Sequence, residues 1–168
     1  MGKLGDDDLY ERDFYAWTQD QALKLRSLSG NNRFDVERVA EEIRDLGVSE
    51  RKALESHVLN MLVHLLKLAC SPAEKPRAIW IDEVLQFQSE AEIHYTPAMR
   101  QHIDLDRIWQ KAVKRANVSL INHGEPSLAE TPPNPFSLDE LLKDDFDPNV
   151  AEERVRYVVA NPGLTRHF

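Results

Sequence analysis

Between Leu54 and Ala69 the sequence places Leu54, Val58, Met61, Leu62, Leu65, Leu66 and Ala69 at intervals that return to one side of an α-helix, and the pattern stops before Pro72. No strand brings positions with this spacing to a common face. An apolar face this wide is stable only when buried, so the helix has to lie at the centre of a core that other segments cover. Those segments are helical as well. No alternating run of strand length occurs in the chain, nor any internal repeat or glycine-rich phosphate loop.

The first periodic segment follows the acidic triplet Asp6-Asp7-Asp8, which suits the positive end of a helix, and carries Phe14, Trp17, Gln21, Leu25 and Leu28 as its stripe. Gly30-Asn31-Asn32 is expected to break it. A second stripe of Val36, Val39, Ala40, Ile43 and Leu46 is expected to end at Gly47 as a C-cap, with Ser49 capping the helix that contains Leu54. After Pro72 and Pro76, the residues Ile79, Trp80, Val84, Phe87 and Ala91 predict a helix to about Tyr95. Pro97 suits the first position of a short turn. Asp104 predicts an N-cap for a helix carrying Leu105, Ile108, Trp109, Ala112, Val113, Ala116 and Leu120. Residues 124–135 are proline-rich and read as an extended connector. Ser137 and Glu140 then form a capping-box pattern, with Phe136, Leu138, Leu141 and Phe146 expected to pack back onto the core. The fold class expected is all-α, a single-domain helical bundle of about four to six helices. It would occupy residues 1–148, with residues 149–168 as a C-terminal tail.

With 168 residues, a hydrophobic fraction of 42% and a charged fraction of 30%, the chain has enough apolar material for one packed domain. Its formal charge of −8 disfavours general binding to nucleic acid or to an anionic membrane surface. A single cysteine, Cys70, cannot form an internal disulfide, and reads as a small core residue in a reducing compartment. No apolar run approaches the roughly 20 residues of a membrane span, and the start of the chain shows no secretory leader. A cytoplasmic location is the expectation.

Several segments in order carry a family resemblance. They are Tyr10-Glu11-Arg12-Asp13-Phe14-Tyr15-Ala16-Trp17-Thr18-Gln19, then Val39-Ala40-Glu41-Glu42-Ile43-Arg44-Asp45-Leu46-Gly47 with Ser49-Glu50-Arg51, then His64-Leu65-Leu66-Lys67, and finally Phe136-Ser137-Leu138-Asp139-Glu140-Leu141-Leu142-Lys143-Asp144-Asp145-Phe146. Together they resemble the bacterial domain-of-unknown-function family 29 over about Leu9 to Pro148. The resemblance implies an all-helical bundle, and it brings no reaction, cofactor or catalytic residue with it.

His57 and His64 are two helical turns apart, about 10 Å along the axis, too far to share one metal ion. The Glu-x-x-His pattern of di-metal bundles precedes neither, because Leu54 and Met61 stand at the required positions. His64, at the edge of the apolar stripe, needs partners for its ring nitrogens. Glu42 sits at a similar edge, but a hairpin closing at Gly47 would keep it away from His64. Structural roles as polar pins explain both. A single metal held by His64 with His94 or His102, and Glu42 as a carboxylate candidate, is the alternative. His94 and His102 also suit helix ends, and Glu41, Glu42 and Asp45 suit ion pairs with Arg38 and Arg44. Arg107, Lys111, Lys114 and Arg115 form a basic stripe opposite Ile108 and Ala112, which a solvated helix face would also explain.

Three functions follow. The first is a protein-interaction or regulatory, antitoxin-like module acting on a protein partner or a second copy of itself, through surface around Trp80, Phe87 and the Val155 to Val159 tail. The second is a metal-dependent or hydrolytic enzyme with a site around His64. The third is a nucleic-acid-associated factor using the basic stripe. No catalytic spacing decides whether the chain is an enzyme, and no cofactor is indicated.

Overall fold

The computed structural model describes residues 6–28 and 35–163. Among these residues there are seven α-helices and no strand: α1 (Asp6–Arg12), α2 (Phe14–Ser27), α3 (Val36–Cys70), α4 (Arg77–His94), α5 (Leu105–Asn122), α6 (Leu138–Leu141) and α7 (Pro148–Ala160). A 3₁₀ helix covers Pro97–His102, with the proline at its start as its fixed φ favours. The expected break at Gly30-Asn31-Asn32 lies outside the described residues. The described residues form two compact units. One runs up to residue 54 and includes 94–103, and the other comprises 55–93 with residues from 104 onward.

In the first unit, Asp13 ends α1 and caps α2. One carboxylate oxygen accepts from the Ala16 amide at 2.9 Å and the other from the Ala98 amide at 2.8 Å. The aromatic stripe expected to face the core instead stacks on itself. Tyr10 meets Trp17 edge-on with ring centres 4.9 Å apart, and Phe14 stacks on Trp17 at 5.8 Å. The fully buried positions of α2 are Tyr15, Thr18 and Ala22, one step round the helix, whereas Leu28 is largely exposed. The small Thr18 on this face permits an approach to α3 at Gly47 that a larger side chain would prevent.

The point of approach is Gly47. It neither ends a helix nor precedes one capped by Ser49, because α3 runs without interruption for 35 residues. A Cβ added at Gly47 would overlap Thr18 Oγ1 and lie 3.2 Å from Gln19 Nε2. Gln19 Nε2 also donates to the Arg44 carbonyl at 3.3 Å. A glycine inside a helix costs about 0.5–1 kcal/mol relative to alanine. Contact with α2 offsets that cost, so the glycine serves close packing rather than termination. The two apolar stripes expected to belong to separate helices are therefore successive parts of one, and Val39 and Leu46 of the first are exposed.

In the second unit the expected core helix holds its place. Val58, Met61, Leu62, Leu65, Leu66 and Leu68 are fully buried, as are Val84 and Ala91 of α4 and Ala112 and Ala116 of α5. Asp104 caps α5 by accepting from the Arg107 amide at 2.9 Å, and the Ser137–Glu140 capping box of α6 is complete. The proline-rich connector is fixed by side chains. Trp109 Nε1 donates to the Pro132 carbonyl at 2.7 Å, its ring meets Phe136 edge-on, and Asn117 pairs through both amide atoms with the Leu128 backbone. Phe136, Leu138 and Leu141 are buried as expected and Phe146 is half-buried. Residues after Pro148 form α7, with Ala151, Val155 and Val158 buried. Glu152 of α7 takes both nitrogen bonds of a clamp, from Arg77 at 2.7 Å and Arg156 at 2.8 Å. Both guanidiniums also donate to the Leu68 carbonyl at the end of α3.

Replacement of Gly47 by alanine should lower stability by about 1–3 kcal/mol, the range of an overpacked contact, instead of the gain of up to about 1 kcal/mol that helix propensity alone would give. The loss should shrink in a Thr18→Ala background. Chemical denaturation of the two single variants and the double variant measures both effects, and a Gly47→Ala protein more stable than wild type would contradict the packing role.

Candidate functional site

Every histidine singled out from the sequence on α3 and α4 lies against a carboxylate. His64 Nε2 sits 2.8 Å from Glu83 Oε2, and His57 Nδ1 sits 2.9 Å from Glu90 Oε2, so the two pairs run in antiparallel register between α3 and α4. Phe87 lies between them, its ring centre 5.6 Å from His64 and 6.3 Å from His57. One turn further along the seam the Lys67 ammonium lies 4.5 Å from the centre of the Trp80 ring, a cation–π contact. Burial pushes the Lys67 ammonium pKa down, against the attraction of Glu83 and Glu125. In the other unit His94 Nδ1 meets Glu50 Oε2 at 2.7 Å. His102 is exposed beside the Tyr15 ring, with its backbone carbonyl accepting from Arg51.

These contacts define what the candidate metal ligands do. His64 Nδ1 lies 2.8 Å from the Asn60 carbonyl while Nε2 faces Glu83, so both ring nitrogens are occupied by acceptors within the protein. Neither is turned toward an open coordination position. Glu42 is exposed on α3, and its neighbours Glu41 and Asp45 pair with Arg44 at 3.4 and 3.1 Å. Among the described residues no group of three His, Cys, Asp or Glu side chains gathers closely enough to hold a metal ion. Cys70 is half-buried and its thiol is pushed up to about 11 by burial, so it stays protonated at neutral pH and is a poor nucleophile.

Trp80 and Phe87 are half-buried within this seam, and of the Val155 to Val159 segment Val155 and Val158 are buried while Tyr157 is 56% exposed. The basic stripe is different. Arg107, Lys111, Lys114 and Arg115 are all exposed along α5, and none of their side chains takes an ion pair or hydrogen bond among the described residues. Val118 and Ile121, 54% and 60% exposed, share this face. Lys111, Lys114, Arg115 and Val118 line a groove of about 440 Å³ together with Leu59 of α3. The sequence marked the cations, and the spacing of Val118, two turns after Lys111, was the signal that an apolar side chain lay among them. Leu59 carries no such signal, because it reaches the groove from another helix.

A second groove, of about 430 Å³, lies beside α7 and is lined by Pro135, Glu140, Glu153, Arg154, Tyr157 and Val158. Two of its three charged residues pair with each other. Arg154 donates to Glu140 at 2.7 Å, and this bond, with the Ser137 amide of the capping box, holds the Glu140 carboxyl down at about 2. A carboxylate whose folded value lies below its unfolded one stabilises the fold above the unfolded value. That contribution is lost as pH falls from about 4.5 toward 2. Replacing Glu140 by glutamine keeps the capping amide contact and removes the charge. The variant should be less stable than wild type at pH 7, by under about 1 kcal/mol given the exposure of the pair, and should match it near pH 2. Urea midpoints across that range check the sign.

No helix among the described residues is long and apolar enough to cross a membrane. The family described as domain of unknown function DUF29 matches residues 9–147, up to the residue that caps α7. Among solved structures, the chain is similar to an α-helical protein of unknown function from Rhodospirillum rubrum. The two share 34% identity over 86% of this chain and 96% of that one, with a TM-score of 0.78. No curated protein matches the chain. An all-helical architecture, the ordered motifs from Tyr10 to Phe146 and the match over residues 9–147 together place this chain in the DUF29 family.

Proposed function

We propose that the protein is a protein-interaction module, regulatory in character, that engages an acidic protein partner through the exposed face of α5. The observation that carries this reading is the set of four cations, Arg107, Lys111, Lys114 and Arg115, without carboxylate partners among the described residues, in a chain of net charge −8. Elsewhere in the molecule Arg77, Arg154 and Arg156 are each matched to an acid. Unmatched charge of one sign beside exposed Val118 and Ile121 suits a complementary surface better than it suits solvent alone. Trp80 and Phe87 stand half-buried against Lys67, His57 and His64, away from this cation stripe.

The groove contains no aromatic side chain on which a base could stack, which favours a protein over single-stranded nucleic acid. Purification of the tagged protein at native abundance, beside a Lys111→Glu/Lys114→Glu/Arg115→Glu variant, tests the proposal. A stoichiometric protein partner should accompany the wild type. Its affinity for the variant should fall roughly tenfold to a hundredfold, from about 0.2–1 kcal/mol for each exposed pair lost and some further repulsion. Equal recovery with both proteins would refute the assignment to α5.

A further inference from the structure

We infer that the groove between Leu59 and α5 receives one face of an amphipathic helix whose flank is acidic. This inference rests on the assignment of α5 as the docking face and names the chemistry of what docks there. Lys111, Lys114 and Arg115, and Val118 lie at successive turns of α5, so the groove follows the helix for about 10 Å, two turns of a partner helix. Its walls are side chains of α3 and α5, and both helices satisfy their own backbone groups. The groove therefore offers no sheet edge to an extended peptide, whose amides and carbonyls would lose water without gaining partners. A helix brings its backbone bonds with it.

The floor and the rim ask for different residues on that helix. Leu59 is buried at 8% exposure and Val118 is 54% exposed, so together they present apolar surface that aliphatic side chains at helical spacing would cover. Lys111, Lys114 and Arg115 rim that surface, where aspartate or glutamate one turn from each aliphatic anchor would meet them. Arg107 and Ile121 extend the same face by a turn at either end, which lengthens the contact for a longer helix. Double-stranded nucleic acid would satisfy the cations but would leave Val118 and Ile121 against a phosphate backbone.

Three probes titrated into the full-length protein, followed by amide and methyl NMR shifts, test the inference. The first is a helical peptide with leucines at i, i+3, i+4 and i+7 and glutamates flanking them. The second has the same composition in scrambled order, and the third is a DNA duplex of equal charge. The amphipathic peptide should bind at least tenfold more tightly than the scrambled one. It should shift Leu59, Lys111, Lys114, Arg115 and Val118, and should lose about tenfold in affinity to a Val118→Asp variant whose free spectrum matches wild type elsewhere. Equal binding of the scrambled peptide, tighter binding of the duplex, shifts confined to other surfaces, or no binding of the amphipathic peptide at millimolar concentration would each overturn the inference. None of these results bears on whether a natural partner is lost on charge reversal, so the broader reading stands or falls by its own experiment.

Discussion

The close contact between Gly47 and Thr18 sets how α2 lies against α3 in the first unit. Without a side chain at position 47, α2 approaches α3 closely enough for Thr18 to occupy the space a Cβ would fill, and Gln19 reaches the Arg44 carbonyl. α3 runs whole through a residue whose intrinsic preference is to end a helix. In the second unit, α3 buries its leucines up to Leu68 and carries His57, His64 and Lys67 beside them. Within the second unit His57 and His64 meet Glu90 and Glu83, and within the first Glu50 meets His94.

The polar contacts of the second unit do two different kinds of work. The pairs His57–Glu90 and His64–Glu83, with Phe87 between them, set the antiparallel register of α3 and α4. Bonded groups tolerate burial that isolated ones would not. The Arg77–Glu152–Arg156 clamp joins α7 to the end of α3 and supplies donors to the Leu68 carbonyl, which has no intrahelical partner in the last turn. Such groups are spent on architecture. The cations of α5 are not, and this contrast, more than the positive charge itself, separates a candidate binding face from an ordinary solvated one.

Much of the fold was legible because its signals are local. The Asp104 cap, the Ser137–Glu140 capping box, the proline at the start of the 3₁₀ helix and the stripe from Leu54 to Ala69 depend on residues a few positions apart. The continuity of α3 was not legible, since the balance at Gly47 is set by a side chain of α2 far away in sequence. For the same reason the sequence showed that His64 needed a partner but could not supply Glu83, whose position depends on the turn between α3 and α4. Helix α7 buries Val155 and Val158 against segments distant in the chain, so its periodicity alone did not determine its state. The cations of the candidate site were visible as a stripe on α5. Their lack of acidic partners among the described residues, and the Leu59 side chain beside them, are properties of the packed molecule.

The distance between spin labels at Arg38 and Lys52, both exposed on α3, measured by pulsed electron resonance in a Cys70→Ala background, tests the continuity of this helix most directly. An unbroken α-helix places the two backbone positions about 21 Å apart along its axis. A single narrow distribution near that value, broadened by the label arms, is the result the structure predicts. A distribution collapsing toward the roughly 8–10 Å spacing of packed neighbouring helices would mean that the chain folds back at Gly47, and would contradict the unbroken α3.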